Sequence, residues 1–185
     1  MQIDDKSAFH IETLFDAKQI AKRNQELARE IVQSGMEKLL VVAVLKGSFV
    51  FTADLLRALY SAKLSPEVDF ISLSSYRSGI ESSGEVEILR DVESDVHGRD
   101  ILLVDDILES GRTLAFAKDL FSARGANRIA TCVLLDKPQK RVVDINANFS
   151  GFECPDVFVV GYGMDMAHSF RELPFVGYIE RDIDE

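Results

Sequence analysis

The sequence predicts an α/β protein, a mostly parallel sheet flanked by helices. Two patterns predict it: short uninterrupted apolar runs, as in strands buried on both faces, and segments of helical spacing between them. Composition agrees. Of the 185 residues, 46% are hydrophobic and 28% charged, near the roughly 45–50% and 25% of ordinary globular chains. A chain of this length can bury enough surface for one self-sufficient core, so a single domain over 1–185 is expected.

The elements follow in order. A helical pattern runs from about Thr13 to Ser34, with Ile20, Leu27 and Ile31 on one face and Gly35 as the stop. Leu39–Leu45 reads as a doubly buried strand. Phe49–Tyr60 has helical spacing, with Phe51, Leu55 and Leu59 four apart. Val68–Leu73 is a second strand. Ser74–Glu85 is polar, with two glycines and five serines; it reads either as a hairpin connection or as a mobile lid over a ligand. Ile101–Val104 is a further buried run, followed by a helix through Leu114, Ala117, Leu120 and Phe121 and closed by Gly125. Ile129–Leu135 and Val157–Val160 complete the strands.

Several functions are excluded. With 21 Lys+Arg against 31 Asp+Glu, the formal charge is −10, unsuited to a broad nucleic-acid or anionic-lipid surface. The apolar run Leu39–Leu45 is far short of the roughly 20 residues of a membrane span. Residues 1–6 have neither the basic start nor the apolar stretch of a signal peptide. The 2 cysteines, Cys132 and Cys154, make no disulfide framework, and no Cys/His cluster has zinc spacing. These features suit a reducing cytoplasm.

In an open parallel sheet, ligands bind beyond the carboxyl ends of the strands. Those ends present Lys46-Gly47-Ser48, Asp105 to Thr113, Asp136-Lys137-Pro138, and Gly161 to Asp165. Ser110-Gly111-Arg112-Thr113 leads directly into a helix, where backbone N–H groups and hydroxyls can receive a phosphate. The plainer alternative is that Ser110 is a helix N-cap. Neither a nucleoside-triphosphate P-loop nor a dinucleotide fingerprint is present. The adjoining Asp105 and Asp106 are costly at the end of a buried strand unless a sugar diol or a metal ion engages them. Glu109, at the lip of the same loop, suits acid–base or electrostatic work.

Val104-Asp105-Asp106-Ile107-Leu108-Glu109-Ser110-Gly111-Arg112-Thr113 resembles the phosphoribosyl diphosphate (PRPP) motif of type I phosphoribosyltransferases. Leu45-Lys46-Gly47-Ser48, Ser75-Tyr76, Asp136-Lys137-Pro138, and Phe158 to Asp165 with Phe170-Arg171 resemble the hypoxanthine–guanine branch, in family order from about Leu39 to Glu180. The resemblance implies the type I fold with a small hood region and a mobile loop. It implies transfer of ribose 5-phosphate from PRPP to N9 of hypoxanthine or guanine, in purine salvage, with Mg²⁺ as cofactor. Family members are usually dimers or tetramers, for which the Phe49–Tyr60 segment could supply an interface.

By the same resemblance, Ser110, Gly111, Arg112 and Thr113 hold the 5-phosphate, and Asp105 and Asp106 hold the ribose hydroxyls, partly through Mg²⁺. Lys46, Gly47 and Arg171 serve the pyrophosphate, with Ser75 and Tyr76 closing over it. Lys137 donates to the purine O6, Phe158 stacks on the ring, the Val159 backbone meets its edge, and Asp165, grouped with these purine-site residues, helps hold a pyrophosphate-bound Mg²⁺. Glu109 assists proton removal from N7. The Leu45–Lys46 peptide can be cis in the family. Each residue also has a plainer reading: Lys137 as a solvated turn lysine, Phe158 as core, Arg171 paired with Glu172.

Two departures stand out. The family usually has Asp where this chain has Glu109, which moves the carboxylate by about one methylene, and a shift of about 1 Å can cost on the order of a hundredfold in rate. Arg77 replaces the glycine that many relatives carry after Tyr76. The rival functions are transfer to xanthine or another base, an RNA-binding regulator on the same fold, disfavoured by the charge of −10, and a non-catalytic nucleotide sensor if Glu109 disables chemistry.

Overall fold

A computed structural model describes residues 9–75 and 86–179. The first element is a strand. β1 (Ile11–Phe15) precedes α1 (Ala17–Gln33), so the helix begins later than the apolar spacing from Thr13 predicts. Asp16 marks the boundary: its carboxylate accepts from the N–H groups of Lys18 and Gln19, each at 2.8 Å, while the Gln19 side chain accepts from the Asp16 N–H. This capping box satisfies donors that the first helical turn leaves free. Gly35, at φ 66°, takes the left-handed position just past the helix end.

The main sheet follows from the apolar runs. β2 (Leu40–Leu45), α2 (Phe49–Ser61), β3 (Glu67–Ser75), β4 (Val86–Arg90), β5 (Asp100–Leu108), α3 (Arg112–Ala123), β6 (Arg128–Asp136) and β7 (Phe149–Glu153) form six strands and two helices. Strand order is β4-β3-β2-β5-β6-β7. All neighbours are parallel except β3 and β4, whose register ends at Ser75 opposite Val86. The strands on either side of residues 76–85 are antiparallel neighbours. That segment, with Tyr76 and Arg77, lies outside the described residues.

The strands alternate as sheet geometry requires. On one face Val41, Leu102, Val104, Cys132 and Leu134 pack with Leu27 and Ile31 of α1 and Phe51 and Leu55 of α2. On the other, Leu40, Val42, Val44, Leu103 and Val133 meet Leu114, Ala117 and Phe121 of α3. Cys132 is fully buried and its thiol is pushed upward by burial, which leaves it a small hydrophobe.

Val157–Val160 is not part of the main sheet. β8 (Val159–Val160) lies with β1 and β9 (Val176–Ile179) in a separate antiparallel sheet of order β1-β9-β8, which corresponds to the expected hood. The sixth strand of the main sheet is instead β7, whose Phe149-Ser150-Gly151-Phe152-Glu153 carries no apolar run. Among the described residues, no helix is long and apolar enough to cross a membrane.

Candidate active site

β5 continues four residues past the apolar run Ile101–Val104, so Asp105 and Asp106 stand in the strand rather than beyond it. The reason is register: Asp105, Ile107 and Leu108 still pair with Val133, Leu135 and Asp136 of β6. Asp105 is buried, and its carboxylate accepts from the Asp106 N–H at 3.0 Å. Burial, reinforced by the neighbouring negative charge of Asp106, raises the Asp105 pKa well above the carboxylate range. Burial raises Asp106 also, against its own hydrogen bonds and the positive charge of Arg171. Two costly carboxylates thus sit where strand and loop meet.

The phosphate-type loop that follows is shaped by Gly111. At φ 85° it is left-handed, and a Cβ there would lie 2.5 Å from Ile145 Cγ2, so only glycine fits. Gly111 is also the N-cap residue of α3, not Ser110. Ser110 Oγ accepts from the Arg112 N–H at 3.4 Å, and the positive end of α3 suits an anion. Arg141, which no sequence pattern singled out, holds this loop: its guanidinium donates to the carbonyls of Leu108 at 2.8 Å and Glu109 at 2.7 Å, and pairs with Asp136. Nothing in the local sequence links position 141 to 109. The contact depends on how the chain returns after β6.

Across the cleft, the Leu45–Lys46 peptide is cis. Lys46 is exposed, and Gly47 lies directly on the acidic pair: a Cβ at Gly47 would be 1.8 Å from Asp106 Oδ2. Lys46, Gly47, Asp105, Asp106, Glu109, Ser110, Gly111 and Thr113 line one cavity of about 270 Å³. Arg112 opens α3 beside it. Ser75 ends β3, and nothing further is described of its side chain.

A second cavity, of about 170 Å³, is lined by Asp106, Ile107, Glu109, Lys137, Phe158, Val159, Met164 and Asp165. Lys137 is no solvated turn residue. It is 5% exposed, donates from Nζ to the Val157 carbonyl at 2.8 Å, and lies 3.5 Å from Glu109 Oε1. Phe158 is no core residue, being 53% exposed, whereas Val159 is buried in the hood sheet. Asp165 accepts from Arg171 Nη2 at 2.7 Å and from the His168 N–H at 2.7 Å, while Arg171 Nη1 donates to the Gly163 carbonyl at 2.6 Å. Among the described residues, no three His, Cys, Asp or Glu side chains gather closely enough to hold a metal alone.

The two cavities share Asp106, Ile107 and Glu109. The arrangement can therefore hold an anionic sugar phosphate on one side and a flat polar ring on the other, with their junction beside two carboxylates.

The phosphoribosyl transferase domain model matches residues 10–167. The chain is 43% identical over 173 residues to a hypoxanthine phosphoribosyltransferase of Salmonella typhimurium, covering 91% of this chain and 95% of that protein. It is 40% identical over 171 residues to a hypoxanthine-guanine phosphoribosyltransferase of Streptococcus pyogenes, covering 92% and 93%. A solved hypoxanthine-guanine phosphoribosyltransferase of Bacillus anthracis superposes with a TM-score of 0.86 at 42% identity, covering 92% of this chain and 100% of that one.

Proposed function

The chain belongs to the phosphoribosyl transferase family, and from that premise we propose how its residues carry the reaction of its hypoxanthine and hypoxanthine-guanine relatives. The enzyme transfers the 5-phosphoribosyl group of PRPP to N9 of a 6-oxopurine. N9 attacks C1 of the ribose, the bond to pyrophosphate breaks, and inosine or guanosine monophosphate forms. The observation that carries the assignment of roles is the pair of cavities joined at Asp106 and Glu109.

The 5-phosphate binds at the positive N-terminus of α3, with Ser110, Arg112 and Thr113 adding donors and charge. Asp105 and Asp106 hold the ribose hydroxyls. Their negative field favours the positive charge that develops on the sugar as the pyrophosphate leaves. Lys46, the Gly47 backbone and Arg171 receive the departing pyrophosphate, with Ser75 and Tyr76 also serving that side.

In the base cavity, Lys137 has three N–H donors, of which one serves Val157 and one faces Glu109. The third donates to O6 of the purine. Adenine carries an amino group at that position and cannot accept the bond, so selectivity follows from an unpaired buried donor. Phe158 stacks on the ring, the Val159 backbone meets its edge, and Glu109 takes the proton from N7.

Asp105 and Asp106 offer the hard oxygen ligands that suit Mg²⁺, and Asp165 offers the same near the pyrophosphate side. The repulsion between Asp105 and Asp106 fits a divalent cation at that pair. When bound there, Mg²⁺ supplies positive charge against the pyrophosphate oxygens. Exposed Phe49 and Tyr60 on α2 support assembly as a homodimer or homotetramer.

The test is a base panel with PRPP and Mg²⁺, followed by ultraviolet absorbance. Hypoxanthine and guanine are expected to give nucleotides and adenine none. Transfer to xanthine alone, or no transfer to any base, would overturn the assignment.

A further inference from the structure

The Gly161-Tyr162-Gly163 turn has three consecutive left-handed residues, at φ 92°, 50° and 102°. Tyr162 is the costly one, since a bulky side chain rarely adopts that conformation unless its surroundings over-determine it. Its surroundings are specific. The ring is buried, its hydroxyl donates to Asp54 Oδ2 at 2.7 Å, and it accepts from Asn24 Nδ2 at 3.0 Å. Asn24 belongs to α1 and Asp54 to α2, so one phenol ties both helices to the turn. Two other polar atoms on these helices, Asn24 Oδ1 and Thr52 Oγ1, are buried without a hydrogen-bond partner among the described residues. Stability alone would favour an apolar contact here.

The turn reaches both sides of the active site. A Cβ at Gly163 would lie 2.2 Å from the Gly47 carbonyl, and Gly47 in turn rests on Asp106. The Gly163 carbonyl accepts from Arg171, which pairs with Asp165. Val159, by contrast, is held through the pairing of β8 with β9, and the Phe158 carbonyl accepts from the Ile179 N–H at 3.2 Å.

We propose that Tyr162, gripped by Asp54 and Asn24, is a positioning residue that sets the pyrophosphate side of the site by fixing the 161–165 turn against Lys46–Gly47. The clamp rests on the transferase reading of the site and acts chiefly through Gly47 and Arg171, while Asp165, which also lines the base cavity, keeps its ion pair with Arg171. Tyr162→Phe keeps the ring and loses the grip. Its KM for PRPP, and for pyrophosphate in the reverse reaction, is expected to rise about tenfold, from a displacement well under the 1 Å that costs about a hundredfold. KM for hypoxanthine should change by less than about twofold, because the hood sheet holds that side.

Asp54→Asn retains an acceptor for the phenol and should stay close to the parent enzyme, whereas Asp54→Leu should match Tyr162→Phe. The double variant Tyr162→Phe/Asp54→Leu should be no worse than either single one, as expected for one shared interaction. Hydrogen exchange of the amides of 162–165, which needs no turnover, should quicken in Tyr162→Phe. Unchanged KM values and unchanged exchange in Tyr162→Phe, with only a lowered Tm, would overturn the clamp, as would strictly additive effects in the double variant. An inactive parent would overturn the transferase reading instead, and the exchange measurement would still decide the clamp.

Discussion

Glu109 and Lys137 concentrate the chemistry of the base cavity. Glu109 Oε1 lies 3.5 Å from the Lys137 ammonium, so the proposed proton acceptor and the proposed O6 donor face each other. Lys137 is 5% exposed, and a buried charge needs such a partner. Glu109→Gln keeps the size and loses the negative charge. Turnover should fall by about a hundredfold or more, the usual contribution of a general base being about 10²–10⁴-fold, while PRPP affinity measured by calorimetry changes little. Unchanged turnover would remove Glu109 from the mechanism. Lys137 and Phe158 each defied their plainer readings for a physical reason: neighbours distant in sequence, Val157 for one and the open cleft for the other, decide their exposure.

At the scale of elements, the β5–α3 loop matters most, and its geometry is not self-supporting. Gly111 makes the turn possible, but Arg141 fixes it through the carbonyls of Leu108 and Glu109 and its pairing with Asp136. Arg141→Met would preserve the aliphatic stem and remove these charged donors. KM for PRPP is expected to rise about tenfold or more, with the hydrogen bonds lost being of the charge-assisted kind worth about 1.5–3 kcal/mol. Steady-state kinetics with PRPP varied would check it; an unchanged KM would mean the loop holds its shape unaided. The sequence announced the loop through its glycine and hydroxyls. Its support was invisible because Arg141 is brought back by the turn after β6.

At the scale of the molecule, the chain carries −10 while the proposed substrates are highly anionic, a tension the proposed site resolves locally through Lys46, Arg112, Lys137, Arg171 and the helix N-terminus. The acidic surplus also serves the fold. Asp69 is pulled upward by partial burial, but N–H groups of Ser94, Phe70 and Glu93 outweigh this and hold its pKa below the usual value. The Arg124 guanidinium lowers Asp91 in the same way, with burial opposing. A depressed carboxylate contributes stability above its unfolded pKa, near 3.9, and that contribution is lost as pH falls through the folded value. Asp69→Asn combined with Asp91→Asn should therefore lower Tm at neutral pH and flatten its decline below about pH 4. Thermal unfolding followed by circular dichroism across pH 2–7 checks this, and a parallel offset at every pH would refute it.

What the sequence determined by itself was whatever is encoded locally. Buried strands declare themselves through runs such as Leu40–Leu45, helices through the spacing of Phe51, Leu55 and Leu59, and the phosphate loop through a glycine before a helix. The strands β1, β7 and β9 stayed hidden because short half-buried pieces such as Phe149–Glu153 have no periodicity of their own. Their pairing exists only when distant partners supply the other half of each hydrogen bond. Tertiary structure likewise decided that Val159–Val160 joins β9 rather than the main sheet, that Asp16 and not Thr13 opens the first helix, that Lys137 meets Glu109 and that Arg171 meets Asp165. Side-chain contact across tens of residues depends on chain return, which local spacing does not carry.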